Sequence, residues 1–104
     1  SIDNQAKINK GIQYVTTSLS SGNYQSIRIQ KGVPLQWIIR ATARDLNGCN
    51  NEIIITAYGI QKKLKVGDNL IEFTPKDRGT IPYSCWMGMI QSTIEIVDGP
   101  LKGK

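Results

Sequence analysis

Histidine is absent from this sequence of 104 residues, and its absence excludes several kinds of chemistry. Without imidazole there is no Ser-His-Asp or Cys-His catalysis, no His-ligated zinc and no copper centre of the type that needs two imidazoles. The eight carboxylates fall mostly at turns or at outward strand positions, with no visible acid/base pair. We therefore expect a protein that is not an enzyme.

Long hydrophobic runs are also missing. The longest apolar pieces are short, such as Ile53–Ile55, whereas a membrane helix needs about 20 apolar residues. We expect no membrane-spanning segment in this chain. The sequence begins with Ser1 rather than Met, so we expect a signal peptide, an anchor or an upstream domain to precede it in the natural protein.

Aromatic residues are scarce, at 7%, and the net charge of +5 is spread along the chain. The one tight basic cluster is Lys62, Lys63 and Lys65, beside a turn. Sheets that bind nucleic acid interleave aromatic and basic residues on their strands, and no such motif occurs here. We expect solvated surface charges and no nucleic-acid partner.

Short β-branched runs separated by Gly, Asn, Asp or Pro fill the sequence, and apolar residues do not recur at helical spacing. The chain is long enough for one hydrophobic core. The pattern predicts a single all-β domain over residues 1–104, a sandwich of seven to eight strands with its core at about 11–98 and frayed ends at 1–10 and 99–104. Seven candidate strands are Ile12–Leu19, Gln25–Gln30, Pro34–Ala41, Glu52–Ala57, Asn69–Thr74, Thr80–Cys85 and Ser92–Val97.

Strand parity predicts where the two cysteines point. In the strand that ends at Cys85, the residues Ile81, Tyr83 and Cys85 share one face, so Cys85 should face inward. The same argument puts Cys49 on the side of Ile53, although the turn residues before Cys49 weaken its register. We expect both thiols to face the interior.

Sulfur is concentrated in one segment, Cys85-Trp86-Met87-Gly88-Met89, which holds both methionines and one of the two cysteines. Thiolate and thioether are soft donors, and together they favour Cu(I) over zinc, calcium or magnesium. Methionine also fills core gaps, and free cysteine is often buried, so each residue alone is as easily a packing residue. As a group they predict a Cu(I) site.

The segment Gly79-Thr80-Ile81-Pro82-Tyr83-Ser84-Cys85, followed by Met89 and a last strand, resembles the C-terminal signature of the cupredoxins. Lys31-Gly32-Val33-Pro34-Leu35 resembles the loop before their third strand. Cys49-Asn50 stands where cupredoxins carry a copper-binding His followed by Asn. The resemblance covers about residues 24–98 and implies a Greek-key β-sandwich.

The resemblance also implies a ligand set. Cys85 matches the family's thiolate ligand, Met89 its axial thioether and Cys49 its first imidazole, while Asn50 matches the residue that ties the two ligand loops together. The second imidazole has no counterpart, and Met87 is the obvious substitute. The metal-site residues are therefore Cys49, Cys85, Met87 and Met89, with the choice between the two methionines open, and Trp86 is expected to shield the site.

Two thiolates with thioethers stabilise Cu(I) strongly, which favours Cu(I) sequestration or trafficking over redox cycling. Two alternatives stay open. One is an electron-transfer cupredoxin with altered ligands. The other is a structural or interaction module held by a Cys49–Cys85 disulfide worth about 4 kcal/mol, with no metal.

Copper-handling thiols that can form a disulfide suit an oxidising compartment. We therefore expect an extracytoplasmic protein, secreted, periplasmic or tethered to the cell surface. Its expected partners are the copper ion and a copper transporter or a donor or acceptor protein.

Overall fold

The structure is a computed structural model that describes residues 4–101. This part of the chain forms nine strands and one short 3-10 helix, Thr56–Tyr58, which lies between the fifth and sixth strands. The strands are β1 (Lys7–Asn9), β2 (Ile12–Ser18), β3 (Ile27–Gln30), β4 (Leu35–Ala41), β5 (Glu52–Ile55), β6 (Ile60–Lys63), β7 (Gly67–Phe73), β8 (Gly79–Cys85) and β9 (Gln91–Val97). No helix among the described residues has the length and apolarity needed to cross a bilayer.

The strands form two sheets. One has the order β1-β2-β4-β7, and the other has the order β3-β9-β8-β5-β6. The pairs β2–β4 and β3–β9 are parallel, whereas the other pairs are antiparallel. The predicted all-β sandwich is confirmed.

The core lies between the sheets and follows from strand alternation. In β9 the inward residues Ile94 and Ile96 are 0% and 2% exposed, and in β8 the inward residues Tyr83 and Cys85 are 3% and 1% exposed. Burying each large apolar side chain contributes about 1.5–3 kcal/mol relative to leaving it in water. The inward direction predicted for Cys85 is confirmed.

Three aromatic rings connect the two sheets. Trp37 of β4 is fully buried and meets Tyr83 of β8 edge-on, with ring centroids 5.1 Å apart. Tyr83 in turn stacks on Tyr24 at 5.4 Å. The indole N–H of Trp37 donates to the hydroxyl of Thr17 on β2 at 2.9 Å, so the buried polar atom of this ring is satisfied.

A buried glutamine also joins the layers. Gln13 of β2 is 0% exposed, and its Nε2 donates to the carbonyl oxygens of Gln30 and Val33 at 2.8 Å each. Its Oε1 accepts from the backbone N–H of Gln30, also at 2.8 Å. These bonds satisfy the backbone at the β3–β4 connection that leads into the strand carrying Trp37.

Two strands were not predicted from the sequence. Residues 7–9, assigned to a frayed end, form β1, which pairs with β2, and the neighbouring Ala6 is 2% exposed. Their three side chains are exposed, so no alternation marks the strand, and backbone pairing alone defines it. The strand β6 is a short, lysine-containing edge strand.

Two predicted strands are shorter in the structure. The strand expected over Glu52–Ala57 ends at Ile55, where the 3-10 helix begins, and that helix is capped by Gly59 at φ +63°. The strand expected from Gln25 begins at Ile27. The side-chain oxygen of Gln25 accepts from the backbone N–H of Ser18 instead, at 3.0 Å, and residues 24–26 are irregular.

Candidate metal centre

Cys85 is the last residue of β8 and lies beside Ile53 of β5 in the sheet register. Its backbone N–H donates to the carbonyl of Ile90 at 2.9 Å, and its carbonyl accepts from the N–H of Gly88 at 2.9 Å. Gly88 has a φ of +74°, a conformation that glycine adopts without strain. The chain therefore turns tightly around the Cys85 sulfur before β9 begins.

Cys49 lies in the loop before β5, and a side-chain turn shapes this loop. The Oδ1 of Asn47 accepts from the backbone N–H groups of Cys49 and Asn50, at 2.8 and 2.9 Å. This arrangement is an Asx turn, in which an asparagine side chain takes the part of a backbone carbonyl. Cys49 is half-buried and packs against the edge of the core.

The fold brings the two thiols together. Both cysteines are free, and their side chains lie near enough for each thiol to shift the pKa of the other. The position of β5 explains why the two cysteines are close, because β5 begins three residues after Cys49 and carries Ile53, the register partner of Cys85. The sequence predicted that both residues face the interior. In the structure Cys85 is buried, Cys49 is only half-buried, and the two are neighbours.

The two thiols have opposite shifts in acidity. Burial acts to raise the pKa of Cys85, but the backbone N–H of Ile90, which donates to its sulfur at 3.3 Å, and the nearby N–H groups of Met87 and Met89 lower the pKa below its ordinary value. The pKa of Cys49 is raised, first by burial and then by the nearby Cys85. Cys85 is therefore the thiol that ionises first.

The methionines occupy the turn that follows Cys85. Their backbone N–H groups lie near enough to the Cys85 sulfur to lower its pKa, while their side chains are exposed, Met87 by 50% and Met89 by 73%. No described contact joins either thioether to a thiol. The turn therefore holds both methionines near the cysteine pair by their backbone and leaves the thioethers open to solvent.

Asn50 does not have the contacts that the resemblance implied. It is fully buried, and its Nδ2 donates to the carbonyls of Asp45, Ser20 and Ser21 at 2.8, 3.3 and 3.5 Å. Its Oδ1 accepts from the N–H of Asn47 at 2.9 Å. Asn50 thus fastens the Cys49 loop to itself and to the turn before β3, and none of these bonds reaches the Cys85 turn.

Trp86 makes the link between the two cysteine-bearing segments. Its indole Nε1 donates to the carbonyl of Gly48, the residue before Cys49, at 2.9 Å. The ring is 52% exposed, so it covers less of the site than expected from its position in the sequence. A tryptophan beside a cysteine gives no sequence signal for such a bond, because its partner lies in a distant loop.

The donors in the site are sulfur atoms. Among residues 4–101 there is no group of three or more His, Cys, Asp or Glu side chains that would hold a metal ion. Two neighbouring thiols, with two thioethers on the turn that follows Cys85, fit a soft monovalent ion of low coordination number. It does not fit calcium or magnesium, which need several oxygen ligands.

No protein-family model matches this chain, and a comparison with curated protein sequences finds no match. Solved structures do resemble it. The metal-binding domain of the Streptococcus pneumoniae D39 Cu(I)-exporting P-type ATPase CopA, solved with Cu(I), is 28% identical with a TM-score of 0.80, and the alignment covers 89% of this chain and 93% of that domain.

Two further structures share the fold. A copper-binding protein solved in solution in its apo form is 23% identical with a TM-score of 0.79, covering 88% of this chain and 94% of that protein. A reduced amicyanin variant is 14% identical with a TM-score of 0.53, covering 86% of both chains. The chain is a cupredoxin-like domain, a β-sandwich of the type that its sequence motifs resemble.

Proposed function

We propose that this domain binds Cu(I) through the thiolates of Cys49 and Cys85, with the thioether of Met87 or Met89 completing the coordination. The observation that carries the proposal is the proximity of the two free thiols, each of which shifts the pKa of the other. Two soft anionic donors already within reach of one another need little rearrangement to share one ion.

The donor set supports Cu(I) over Cu(II). Thiolate and thioether sulfur stabilise the monovalent ion, and there is no imidazole in the chain to favour the divalent one. Two thiolates around Cu(I) leave one net negative charge. The N–H groups near the Cys85 sulfur offset part of this charge without a counter-ion.

The solved structures add support from outside this chain. The CopA metal-binding domain was solved with Cu(I), and the second structure is described as a copper-binding protein. Both align with nearly the whole of this domain. The role we propose is therefore sequestration or trafficking of Cu(I) without catalysis, outside the cytoplasm, with a copper transporter or a donor or acceptor protein as partner.

The test is an anaerobic titration of the fully reduced protein with Cu(I) against a coloured competing chelator, with free thiols counted before and after. We expect binding of one ion by the cysteine pair, with both thiols protected from alkylation. Cys85→Ser should abolish this binding. Retention of copper affinity by Cys85→Ser, or failure of the natural protein to compete with the chelator, would overturn the proposal.

A further inference from the structure

The two thiols belong to segments far apart in sequence, and the structure contains contacts that set the position of each. The Cys49 loop is fastened on one side by Asn50 and on the other by Trp86. Asn50 is fully buried in the interior of the domain. Trp86 is half-exposed, so its hydrogen bond to Gly48 lies outside the packed core.

Trp86 is anchored at two points. Its backbone N–H donates to the carbonyl of Glu52 at 3.0 Å and extends the β5–β8 pairing by one residue. Its indole Nε1 then reaches past β5 to the Gly48 carbonyl at 2.9 Å. One residue therefore connects the position directly after Cys85 to the position directly before Cys49.

We propose that Trp86 is a positioning residue that holds the Cys49 and Cys85 thiols within reach of each other through this Trp86–Gly48 hydrogen bond. The inference rests on the proposed function only where it concerns copper. The thiols sit on the residues adjacent to the two ends of the bond, so breaking it frees the Cys49 loop to move away from the Cys85 turn. A shared ligand then meets one thiol at a time rather than two.

The bond can open without disturbing the core. The indole forms one wall of an open surface groove that Gly48, Asn51, Glu52, Lys63 and Leu64 also line. Trp86 is outside the buried core and already 52% exposed, so its displacement exposes less apolar surface than that of a core residue. The Trp86–Gly48 bond is thus a local control on thiol separation that leaves the stability of the sandwich almost unchanged.

The test uses two readouts, one of which needs no copper. The first is the equilibrium between the reduced protein and its Cys49–Cys85 disulfide in glutathione buffers, in which the two thiols and one glutathione disulfide give the protein disulfide and two glutathione thiols. This constant measures how near the thiols lie to each other. The second readout is Cu(I) affinity by chelator competition.

Trp86→Phe removes the N–H donor and keeps an aromatic ring. We expect both constants to fall by about 2- to 10-fold, the range for loss of one hydrogen bond. The matched control is Tyr58→Phe, which removes a hydroxyl that accepts from the backbone N–H of Lys76, also at 2.9 Å, at a bond that involves neither cysteine segment. The control should leave both constants unchanged.

The natural protein supplies a measurement that requires no substitution. If the Trp86–Gly48 hydrogen bond raises the affinity for Cu(I), bound Cu(I) must stabilise that hydrogen bond by the same factor. Hydrogen exchange of the Trp86 indole N–H, followed by NMR, should slow when Cu(I) is added, whereas the buried indole of Trp37, bonded to Thr17, serves as the internal reference.

The outcomes separate the two proposals. A Trp86→Phe protein whose disulfide equilibrium equals that of the natural protein overturns the positioning role. A lowered disulfide equilibrium in a protein that never binds Cu(I) overturns the proposed function and leaves the positioning role standing. Lowered values of both constants, with Tyr58→Phe unchanged, support both.

Discussion

The hydroxyl of Tyr24 donates a hydrogen bond to the carbonyl of Asn50 at 2.8 Å, one residue beyond Cys49. Tyr24 is 5% exposed and stacks on Tyr83, two residues before Cys85. The backbone next to one cysteine is therefore held by a ring that rests on the strand of the other. Tyr24 therefore stabilises the core and also helps to position the thiols.

Tyr24→Phe should lower the free energy of unfolding by about 1–2 kcal/mol, because it leaves the buried Asn50 carbonyl without this donor. Urea unfolding followed by Trp fluorescence measures the loss, and the slope should stay constant. Tyr14→Phe is the control, since Tyr14 is 42% exposed. Equal stability of the two variants would contradict this account of Tyr24.

Asn50→Asp should cost at least about 3 kcal/mol, because a carboxylate has no hydrogen to donate to the three carbonyls that now accept from Nδ2. Asn51→Asp makes the same change of charge at a half-buried neighbour and should shift stability by less than about 1 kcal/mol. Thermal unfolding of the two variants gives the comparison. A similar loss in both would point to the added charge rather than to the lost donor.

Met87→Leu and Met89→Leu distinguish the two thioethers. Leucine is close to methionine in volume, and both side chains are at least half-exposed, so neither change should alter stability by more than about 1 kcal/mol. Replacing the thioether that completes the copper site should weaken Cu(I) binding, whereas replacing the other thioether should not. Chelator competition on the two variants and the double variant makes the assignment, and unchanged affinity in all three would exclude thioether coordination.

Copper affinity should rise with pH, because binding deprotonates both thiols. Below the lowered pKa of Cys85, two protons leave for each Cu(I) bound, and log affinity should rise by about two for each pH unit. Above that pKa and below the raised pKa of Cys49, one proton leaves and the slope should fall to about one. A titration series over pH tests the change of slope, and a pH-independent affinity would exclude thiol coordination.

Much of the sandwich was predictable because its inner strands alternate regularly. In β8 and β9 the buried positions are Tyr83, Cys85, Ile94 and Ile96, which alternate with more exposed residues, so parity alone indicated that Cys85 is buried. The strand β1 escaped prediction because its three residues are all exposed and gain their order from β2. Edge strands of this kind are defined by their backbone hydrogen bonds, which cannot be predicted from the residue types.

The sequence predicted the chemistry of the candidate site, but it predicted less well the contacts that hold the site residues in place. The clustering of Cys85 with two methionines indicated soft donors, and the resemblance supplied Cys49. The roles of Asn50 and Trp86 depended on which distant carbonyls they would meet, at Ser20 in one case and at Gly48 in the other. Long-range polar contacts of this kind follow from the folded geometry and leave no periodic pattern in the sequence.

The parallel pairing of β3 with β9 has a consequence for synthesis of the protein. β3 lies at the edge of its sheet, and β9 is its strand neighbour. Residues 4–6, made earlier, bridge to Arg28 of β3. On the ribosome, the edge of β3 that binds β9 must nevertheless stay unpaired until almost the whole domain has emerged. Parallel pairings between distant segments form slowly and leave unpaired strands open to aggregation. The nascent chain is most vulnerable in the interval before residues 91–97 leave the exit tunnel.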